Sequence, residues 1–331
     1  MTNMANLPSC SDYSTSIVVS NLVKAPMLLN GCPEMYKGRP VKYAGGFCIV
    51  FPYVAGGKKY AVRCWHAFLE GAEERTKKIA AALKGINLPY FVGFEYIGNG
   101  IVTTQGTQPI VVMDWVDAKP LKKYIAEHIN DSICLNALAD KFVAMVKDLH
   151  LHHLSHGDLQ HGNIMVRNDG SLVLVDYDSM YVPALDGWKD DISGLAGYQH
   201  PSRWANQNLS PKADYFSELV IYTSLKALAE VPQLWTDLMM EDTDTLLFSA
   251  EDIKAGGTTP IFTILETTNS CRELCQTIKD YLRRTSIDDL EPLENVVVSY
   301  LDKLSKSWQD NGYKPSPAYK RLDVMQVTNK W

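Results

Sequence analysis

Apolar and polar residues alternate in two different ways in the two parts of this chain. Residues 47–54 form an apolar run rich in strand-forming side chains, and a Gly-Gly-Lys-Lys turn separates them from a second such run at 60–65. Two such runs joined by a glycine turn are typical of a β-hairpin. A helix is predicted near 67–84, and two more strand-like runs follow, the second over 109–116. These segments predict a mostly β first lobe.

After residue 117 the pattern becomes mainly helical. Between Leu135 and Leu149 apolar residues recur at steps of three and four, which places them on one face of a helix. A Ser-Pro pair at 210–211 is a helix-start signal ahead of an apolar segment. The further predicted elements are a strand pair at 164–166 and 172–175 and helices at 215–228, 270–284 and 288–306. A mainly helical second lobe is therefore predicted.

Composition narrows the class of protein without identifying its activity. With 331 residues, 46% of them hydrophobic and 21% charged, the chain is long enough for two lobes. Its net charge of -6 and the absence of Lys/Arg runs argue against a nucleic-acid partner. No segment reaches the roughly 20 apolar residues of a membrane span, and no leader is visible. The seven cysteines form no CxxC pair, so we expect reduced thiols, no zinc site and a cytoplasmic protein.

The strongest chemical signal is the segment HGDLQHGN at residues 156–163, followed thirteen residues after its Asn by Asp176 in DYD. Phosphoryl transfer needs a carboxylate near the attacking hydroxyl, and oxygen ligands that hold magnesium against the phosphates. Asp158, Asn163 and Asp176 supply these groups. Loop Asp and Asn residues singly are often turn or cap residues, but the three together at this spacing favour ATP- and Mg²⁺-dependent chemistry.

Here the sequence resembles the protein-kinase superfamily, whose catalytic loop reads HRDxxxxN and whose metal motif reads DFG. The resemblance implies an α+β, bilobal protein-kinase-like fold, with a β-rich N-lobe and a mainly helical C-lobe. It implies Asp158 as the catalytic carboxylate and Asn163 and Asp176 as magnesium ligands. The domains are then expected to be an extension, an N-lobe, a C-lobe and a tail, at 1–34, 35–116, 117–315 and 316–331.

The same resemblance implies a nucleotide pocket. Residues 110–116 look like the kinase hinge, with Met113 as gatekeeper, backbone groups of Asp114 and Val116 facing the adenine, and Met165 as the pocket floor. Plain core packing remains an equal alternative for the two methionines. The strand residues that the resemblance adds to the nucleotide pocket are Val50 and Ala61.

Downstream motifs distinguish among kinase types. Residues 197–201, GYQHP, resemble the end of a kinase activation segment, and Asp214 resembles the Asp that opens the central helix and holds the catalytic loop. Sugar, choline and aminoglycoside kinases also use HGDxxxxN but generally lack these features. The strings AVRCW, HGDLQHGN and DYDSMYVPAL look like a bacterial group of serine/threonine-kinase-like proteins.

The glycine-rich loop departs from the family pattern. A protein kinase has GxGxxGxV there, whereas this chain has YAGGFCIV over residues 43–50, and two of the three glycines are missing. Gly45 and Gly46 still allow close approach of the backbone to phosphates. A simple turn is an equally good interpretation of this pair.

The phosphate-binding lysine is also absent, because Arg63 stands in its place in AVRCW. An Arg is a planar fork, so its geometry with phosphate differs from that of Lys. Lys42, Lys58 and Lys59 are possible substitutes, but surface charge is the better interpretation of all three. For the acidic partner on the following helix, the candidates are Glu73 and Glu74, while alignment puts Ile79 at the expected position.

Regulatory features are reduced. Gly157 replaces the Arg of HRD, which argues against control by a phosphorylated segment, and Ser179, Tyr181 and Ser193 remain only possible phosphorylation sites. Arg203 is interpreted by default as a surface charge. The histidines at 152, 153, 156 and 161 lack the spacing of a metal site. His156, the first residue of HGD, is expected to have a structural role.

Three functional classes therefore remain, and nothing in the sequence demands a fourth, the transfer of AMP from ATP bound in an inverted pose. The favoured one is a serine/threonine protein kinase in which Asp158 is the catalytic carboxylate and Arg63 contacts the nucleotide phosphates. The alternatives are a nucleotide-binding pseudokinase or scaffold and a small-molecule kinase of the aminoglycoside or choline type. The expected partner is a protein substrate or a small hydroxyl acceptor; the sequence does not indicate the oligomeric state.

Overall fold

The computed structural model describes residues 7–68, 70–192, 194–204 and 208–299. Within these residues the chain has a kinase-like α+β fold, with a β-sheet region first and helices after it. Ser193, the predicted tail at 316–331 and the predicted end of the C-lobe at residue 315 lie outside the described residues. The last predicted helix, at 288–306, is described only as far as residue 299, and residues 293–299 are helical.

A six-stranded antiparallel sheet forms the first lobe. Six of the eight strands in the described part of the lobe form this sheet, and the eight are β1 (Cys32–Pro33), β2 (Met35–Tyr36), β3 (Arg39–Pro40), β4 (Tyr43–Ala44), β5 (Cys48–Ala55), β6 (Lys58–Trp65), β7 (Phe94–Thr103) and β8 (Gly106–Asp114). The sheet order is β1-β5-β6-β8-β7, with β4 also paired to β5, while β2 and β3 form a separate hairpin. Gly56 and Gly57, both at positive φ, form the two-residue turn between β5 and β6.

The two faces of this sheet are covered by different parts of the chain. Helix α1 (Cys10–Ile17) begins with a capping box between Ser9 and Asp12, and its Tyr13 donates a hydrogen bond of 3.0 Å to the carbonyl of Trp65. Tyr13 and the apolar residues after α1 share a core with β5 and β6. Residues 10–28 are thus an integral part of the first lobe. Helix α2 (Ala72–Lys84) also contacts strand β7, and it adds Ile79 and Leu83 to the larger core.

The second lobe is built around two long helices. Its helices are α3 (Leu121–Glu127), α4 (Ser132–Leu151), α5 (Tyr215–Glu230), α6 (Leu234–Asp237), α7 (Ala250–Lys254), α8 (Pro260–Thr267) and α9 (Arg272–Leu282). Helices α4 and α5 pack on each other, and α5 is buried on nearly all sides, as its continuous apolar sequence requires. The three short strands β9 (Lys119–Pro120), β10 (Ile164–Val166) and β11 (Leu172–Leu174) form a sheet in the order β11-β10-β9.

The main hydrophobic core runs from one lobe into the other. It includes Trp65 and Ile79 of the first lobe and Phe142 and Phe216 of the second. This shared core fixes the two lobes around the cleft between them. No helix in the described part of the chain is both long and apolar enough to span a bilayer.

Candidate functional site

A cleft of about 520 Å³ lies between the two lobes. Its volume is within the usual range for a small-molecule site. Its walls contain all of the residues that the sequence favoured for catalysis or nucleotide binding: Gly45, Gly46, Val50, Ala61, Arg63, Met113, Asp114, Val116, Asp158, Asn163, Met165 and Asp176. The fold therefore brings residues from distant parts of the chain to one place, while their chemical roles stay predictions.

The predicted catalytic loop, residues 156–163, is held by Asp214. This residue precedes α5, and its two carboxylate oxygens accept the backbone N–H groups of His156 and Gly157, the second at 2.9 Å. The imidazole Nε2 of His156 lies 2.9 Å from the carbonyl oxygen of Val175, next to the metal motif. The loop backbone is therefore tied both to the central helix and to the strand end that carries Asp176.

Asp158 projects from this loop into the cleft and is oriented from two sides. The Asn163 amide Nδ2 donates to the Asp158 backbone carbonyl at 2.8 Å and to its Oδ2 at 2.9 Å. The backbone N–H of Leu195 donates to Oδ1 at 3.0 Å. Burial raises the pKa of the Asp158 carboxyl, a common property of catalytic acids and bases. With its Nδ2 turned to Asp158, Asn163 has its amide oxygen left for a ligand.

Asp176 stands at the cleft in a strained backbone conformation. Its φ of 65° lies in the left-handed region that residues other than glycine rarely adopt, and such strain persists where surrounding structure enforces it, often at functional sites. The next residue, Tyr177, is buried and donates from its hydroxyl to the Leu174 carbonyl at 2.8 Å. Tyr177 anchors the motif, so that the half-exposed carboxylate of Asp176 is presented to the cleft.

Arg63 occupies the position of the expected lysine and is buried in the wall of the cleft. Its Nη2 forms a very short ion pair with Asp178 and lies 3.1 Å from Asp176 Oδ1. Burial opposes the charged form, but the carboxylates of Asp178 and then Asp176 raise the pKa of Arg63 above its ordinary value. Arg63 therefore remains a cation that can face phosphate groups in the cleft.

The acidic partner of Arg63 does not come from helix α2, so the expectation for Glu73 and Glu74 is wrong. Glu73 pairs with Lys77 at 2.6 Å, and Glu74 lies 4.0 Å from Lys78, on the exposed side of the helix. Asp178 of the DYD motif supplies the acid instead. The sequence did not predict this role because Asp178 stands where the family motif has glycine. The second carboxylate of DYD, two residues after Asp176, was the signal that could have indicated an acidic partner for Arg63.

Helix α2 contributes a second buried arginine that the sequence analysis also missed. Arg75 is 2% exposed and donates from Nη2 to the Lys189 carbonyl at 2.6 Å and from Nη1 to the Asp178 carbonyl at 3.4 Å. It lies one helical turn before the buried Ile79. This i, i+4 spacing places Arg75 on the buried face of the helix and was the sequence signal for its burial. Arg75 connects α2 to the segment that follows the metal motif.

Gly45 and Gly46 lie in an open loop of the first lobe, and the three lysines near them in the fold have polar partners there. Gly45 donates to the Cys48 carbonyl at 2.8 Å, and a side chain at Gly46 would meet no atom within 4 Å, so the loop leaves open space. Lys58 pairs with Asp114 at 2.6 Å, and Lys59 pairs with Glu34 at 2.7 Å. The third lysine, Lys42, donates to the Ser14 hydroxyl at 3.3 Å. All three therefore bind groups on the first lobe.

Two other expectations fail on burial. Arg203, interpreted as a surface charge, is 5% exposed and binds Asp190 through Nε at 2.9 Å. Ser179 and Tyr181 are buried, which excludes them as accessible phosphorylation sites in this conformation.

Burial lowers the pKa of His161 to about 4, so this histidine is neutral near pH 7. Among the described residues no cluster of His, Cys, Asp and Glu forms a metal site by itself.

Comparison with known proteins agrees with a kinase-like assignment. Residues 100–184 match the model of the ABC1 atypical kinase-like domain. The matched segment contains Asp158, Asn163 and Asp176. It begins after the strand that carries Arg63. No curated protein matches the chain. The chain is therefore similar to an atypical branch of the protein-kinase-like superfamily, in agreement with its fold.

Proposed function

We propose that this chain transfers the γ-phosphoryl group of ATP, with Mg²⁺ as cofactor, to a serine or threonine hydroxyl of a protein substrate. The observation that carries the proposal is the convergence of Asp158, Asn163 and Asp176 in one cleft that also contains Arg63 and the hinge-like strand end. A carboxylate base, two oxygen ligands for magnesium and a cation for phosphate are the groups that phosphoryl transfer uses.

The residues fit these roles by their geometry. Asp158, held by Asn163 and Leu195, accepts the proton of the attacking hydroxyl. At the same time the hydroxyl oxygen bonds to the γ-phosphorus, and the bond between the γ-phosphorus and the β-phosphate oxygen breaks, so that ADP leaves. Arg63 faces the α- and β-phosphates. Asn163 Oδ1 and the half-exposed Asp176 carboxylate would hold Mg²⁺. Two protein ligands suffice for this ion, which takes its remaining ligands from phosphates and water; when bound, it neutralises phosphate charge.

A second candidate, a nucleotide-binding protein without transfer, is supported by one contact. Arg63 lies 3.1 Å from Asp176, the proposed magnesium ligand, and a guanidinium that stays there would compete with the metal. A small hydroxyl acceptor is a variant of the first proposal, supported by the HGD loop. The hold of Asp214 on that loop supports the protein-kinase type.

The test is transfer from γ-labelled ATP with magnesium by wild type, Asp158→Ala and the control Asp237→Ala, which changes an exposed aspartate on α6. Acceptors are the protein itself, a generic protein substrate and a panel of small hydroxyl compounds. We expect label on protein with wild type and the control and none with Asp158→Ala. Label on small compounds alone would move the assignment to a small-molecule kinase. ATP binding without transfer would support the second candidate.

A further inference from the structure

Gln199 is a buried polar residue that the proposed chemistry does not yet use. It lies in the YQHP motif at the end of the predicted activation segment, is 2% exposed, and has an amide nitrogen without a hydrogen-bond partner among the described residues. An unpaired buried donor is costly, of the order of 1–3 kcal/mol. Such a group is therefore expected to have a partner in another state of the protein.

The orientation of the Gln199 amide is fixed by Arg203. The Arg203 Nη1 donates both to Gln199 Oε1 and to the carbonyl of Gly157, in two very short contacts. A guanidinium can only donate, so the amide oxygen must face Arg203 and the NH₂ group must point away from it. Arg203 is held in turn by the buried carboxylate of Asp190, at 2.9 Å from Nε.

The free NH₂ group lies beside Asp158. A Cβ atom built on Gly194 would stand 2.3 Å from Gln199 Nε2 and 2.6 Å from Asp158 Oδ1, so both atoms border the same small space. With both side chains in these positions, only a glycine fits between them. The next residue, Leu195, already donates its backbone N–H to Asp158 Oδ1.

We propose that Gln199 is a positioning residue for Asp158, an inference that rests on the proposed phosphotransfer. In the complex with ATP and acceptor, Gln199 Nε2 donates to Asp158 Oδ1 and, with Leu195, fixes the carboxylate toward the acceptor hydroxyl. In structures without ligands such catalytic hydrogen bonds are often long and shorten in the complex. Arg203 acts through its contacts with Gln199 and with the Gly157 carbonyl. In HRD kinases the loop contains an Arg at the position of Gly157, whereas here the buried guanidinium of Arg203 positions the loop.

The kinetic test uses Gln199→Glu, which keeps the size and the contact to Arg203 but replaces the donor with a negatively charged acceptor. We expect kcat to fall about 100-fold, as for a small misplacement of a catalytic group, with an unchanged KM for ATP. The control is Gln105→Glu, the same change on the exposed turn between β7 and β8. Gln199→Met, with melting temperatures for all variants, separates loss of positioning from loss of folding. A kcat equal to that of wild type in folded Gln199→Glu would overturn the inference.

A second measurement does not depend on turnover. A ¹H–¹⁵N spectrum is recorded on protein with magnesium and a non-hydrolysable ATP analogue. The side-chain amide signal of Gln199 is the one that disappears in Gln199→Met. We expect Asp158→Asn to move this signal upfield, because the charged acceptor is replaced by a neutral one. An unmoved signal would contradict the inference. Absence of Asp158-dependent transfer by wild type would instead contradict the proposed function, so the two failures are distinguishable.

Discussion

At the residue scale, the ion pair that holds Arg63 is the main peculiarity of this site. Arg63 and Asp178 are both largely buried, and Asp176 lies at the edge of the same pair. A buried ion pair contributes little net stability over apolar packing, but removal of one partner leaves an unpaired charge and is strongly destabilising. The pair therefore fixes the guanidinium in place.

We expect Asp178→Ala to lower the free energy of unfolding by about 3 kcal/mol, because Arg63 keeps its charge in a buried position. Urea denaturation measures this loss. The control is Asp280→Ala, which removes an exposed partner of Arg283, where surface ion pairs contribute little. Equal stabilities of the two variants would show that Asp178 is not needed to hold Arg63.

The residue before Asp158 is restricted by its surroundings. Gly157 has a φ of 77°, and a Cβ there would stand 2.1 Å from the carbonyl oxygen of Ser179, a backbone atom that cannot rotate away. The Arg of the HRD motif therefore has no room in this chain. The close approach of the segment after Asp176 makes glycine necessary.

Gly157→Ala is predicted to be far more destabilising than Gly187→Ala. Gly187 has nearly the same φ, 75°, but no atom within 4 Å of its added Cβ, so it isolates the backbone cost of a left-handed alanine, about 1–2 kcal/mol. Urea unfolding of both variants gives the difference, which we assign to the contact with Ser179. Equal losses in the two variants would refute the steric explanation for Gly157.

At the element scale, helix α2 holds the segment that follows Asp176 through a cation. In place of an acid directed at Arg63, it presents Arg75 to the carbonyls of Asp178 and Lys189, with Asp191 3.9 Å from the same guanidinium. From the other side, Arg203 holds the segment through Asp190. Two buried arginines therefore order the segment without a phosphate group.

We predict that Arg75→Met loosens the segment. Loss of hydrogen bonds from a charged donor costs about 1.5 kcal/mol or more, so amide exchange over residues 178–192 should become roughly tenfold faster. Hydrogen exchange with mass spectrometry measures the rate, and Lys84→Met, an exposed cation at the end of the same helix, is the control. Unchanged exchange in the segment would mean that other contacts hold it.

At the scale of the whole molecule, a partly buried histidine ties three helical parts of the second lobe together. His150 on α4 lies 2.9 Å from Glu218 on α5 and 3.0 Å from Glu294 in the helical residues 293–299. Burial opposes the protonated form, but the two carboxylates raise the pKa of His150 to about 10. Burial raises the pKa of Glu218 to about 7.

The raised pKa predicts pH-dependent stability. Protonated His150 contributes stability that is fully present below its unfolded pKa of about 6.5 and is lost as the pH rises through about 10. The difference in free energy of unfolding between wild type and His150→Gln should therefore shrink from pH 7 to pH 10. His152→Gln, at an exposed site two residues away, should show no such trend. A constant difference for His150→Gln would exclude the protonated form.

The sequence by itself determined the main elements and the core of the candidate site. The apolar run with its Gly-Gly turn specified the β5-β6 hairpin, because two glycines permit the positive φ angles that this turn needs. The three- and four-residue spacing specified α4, and α5 follows from an apolar run too long for a strand. Asp158, Asn163 and Asp176 could be predicted because their spacing is local and linked to one chemistry.

Only the tertiary structure decided which charges are buried and which groups they meet. The pairing of Arg63 with Asp178 spans 115 residues, and that of Arg75 with Lys189 spans 114, so no sequence periodicity reports them. The same is true of Arg203, whose sequence neighbourhood resembles a surface loop. A long polar side chain is buried only when distant backbone carbonyls and carboxylates satisfy it. Those partners exist only after the two lobes and the segment between Asp176 and Pro201 have packed.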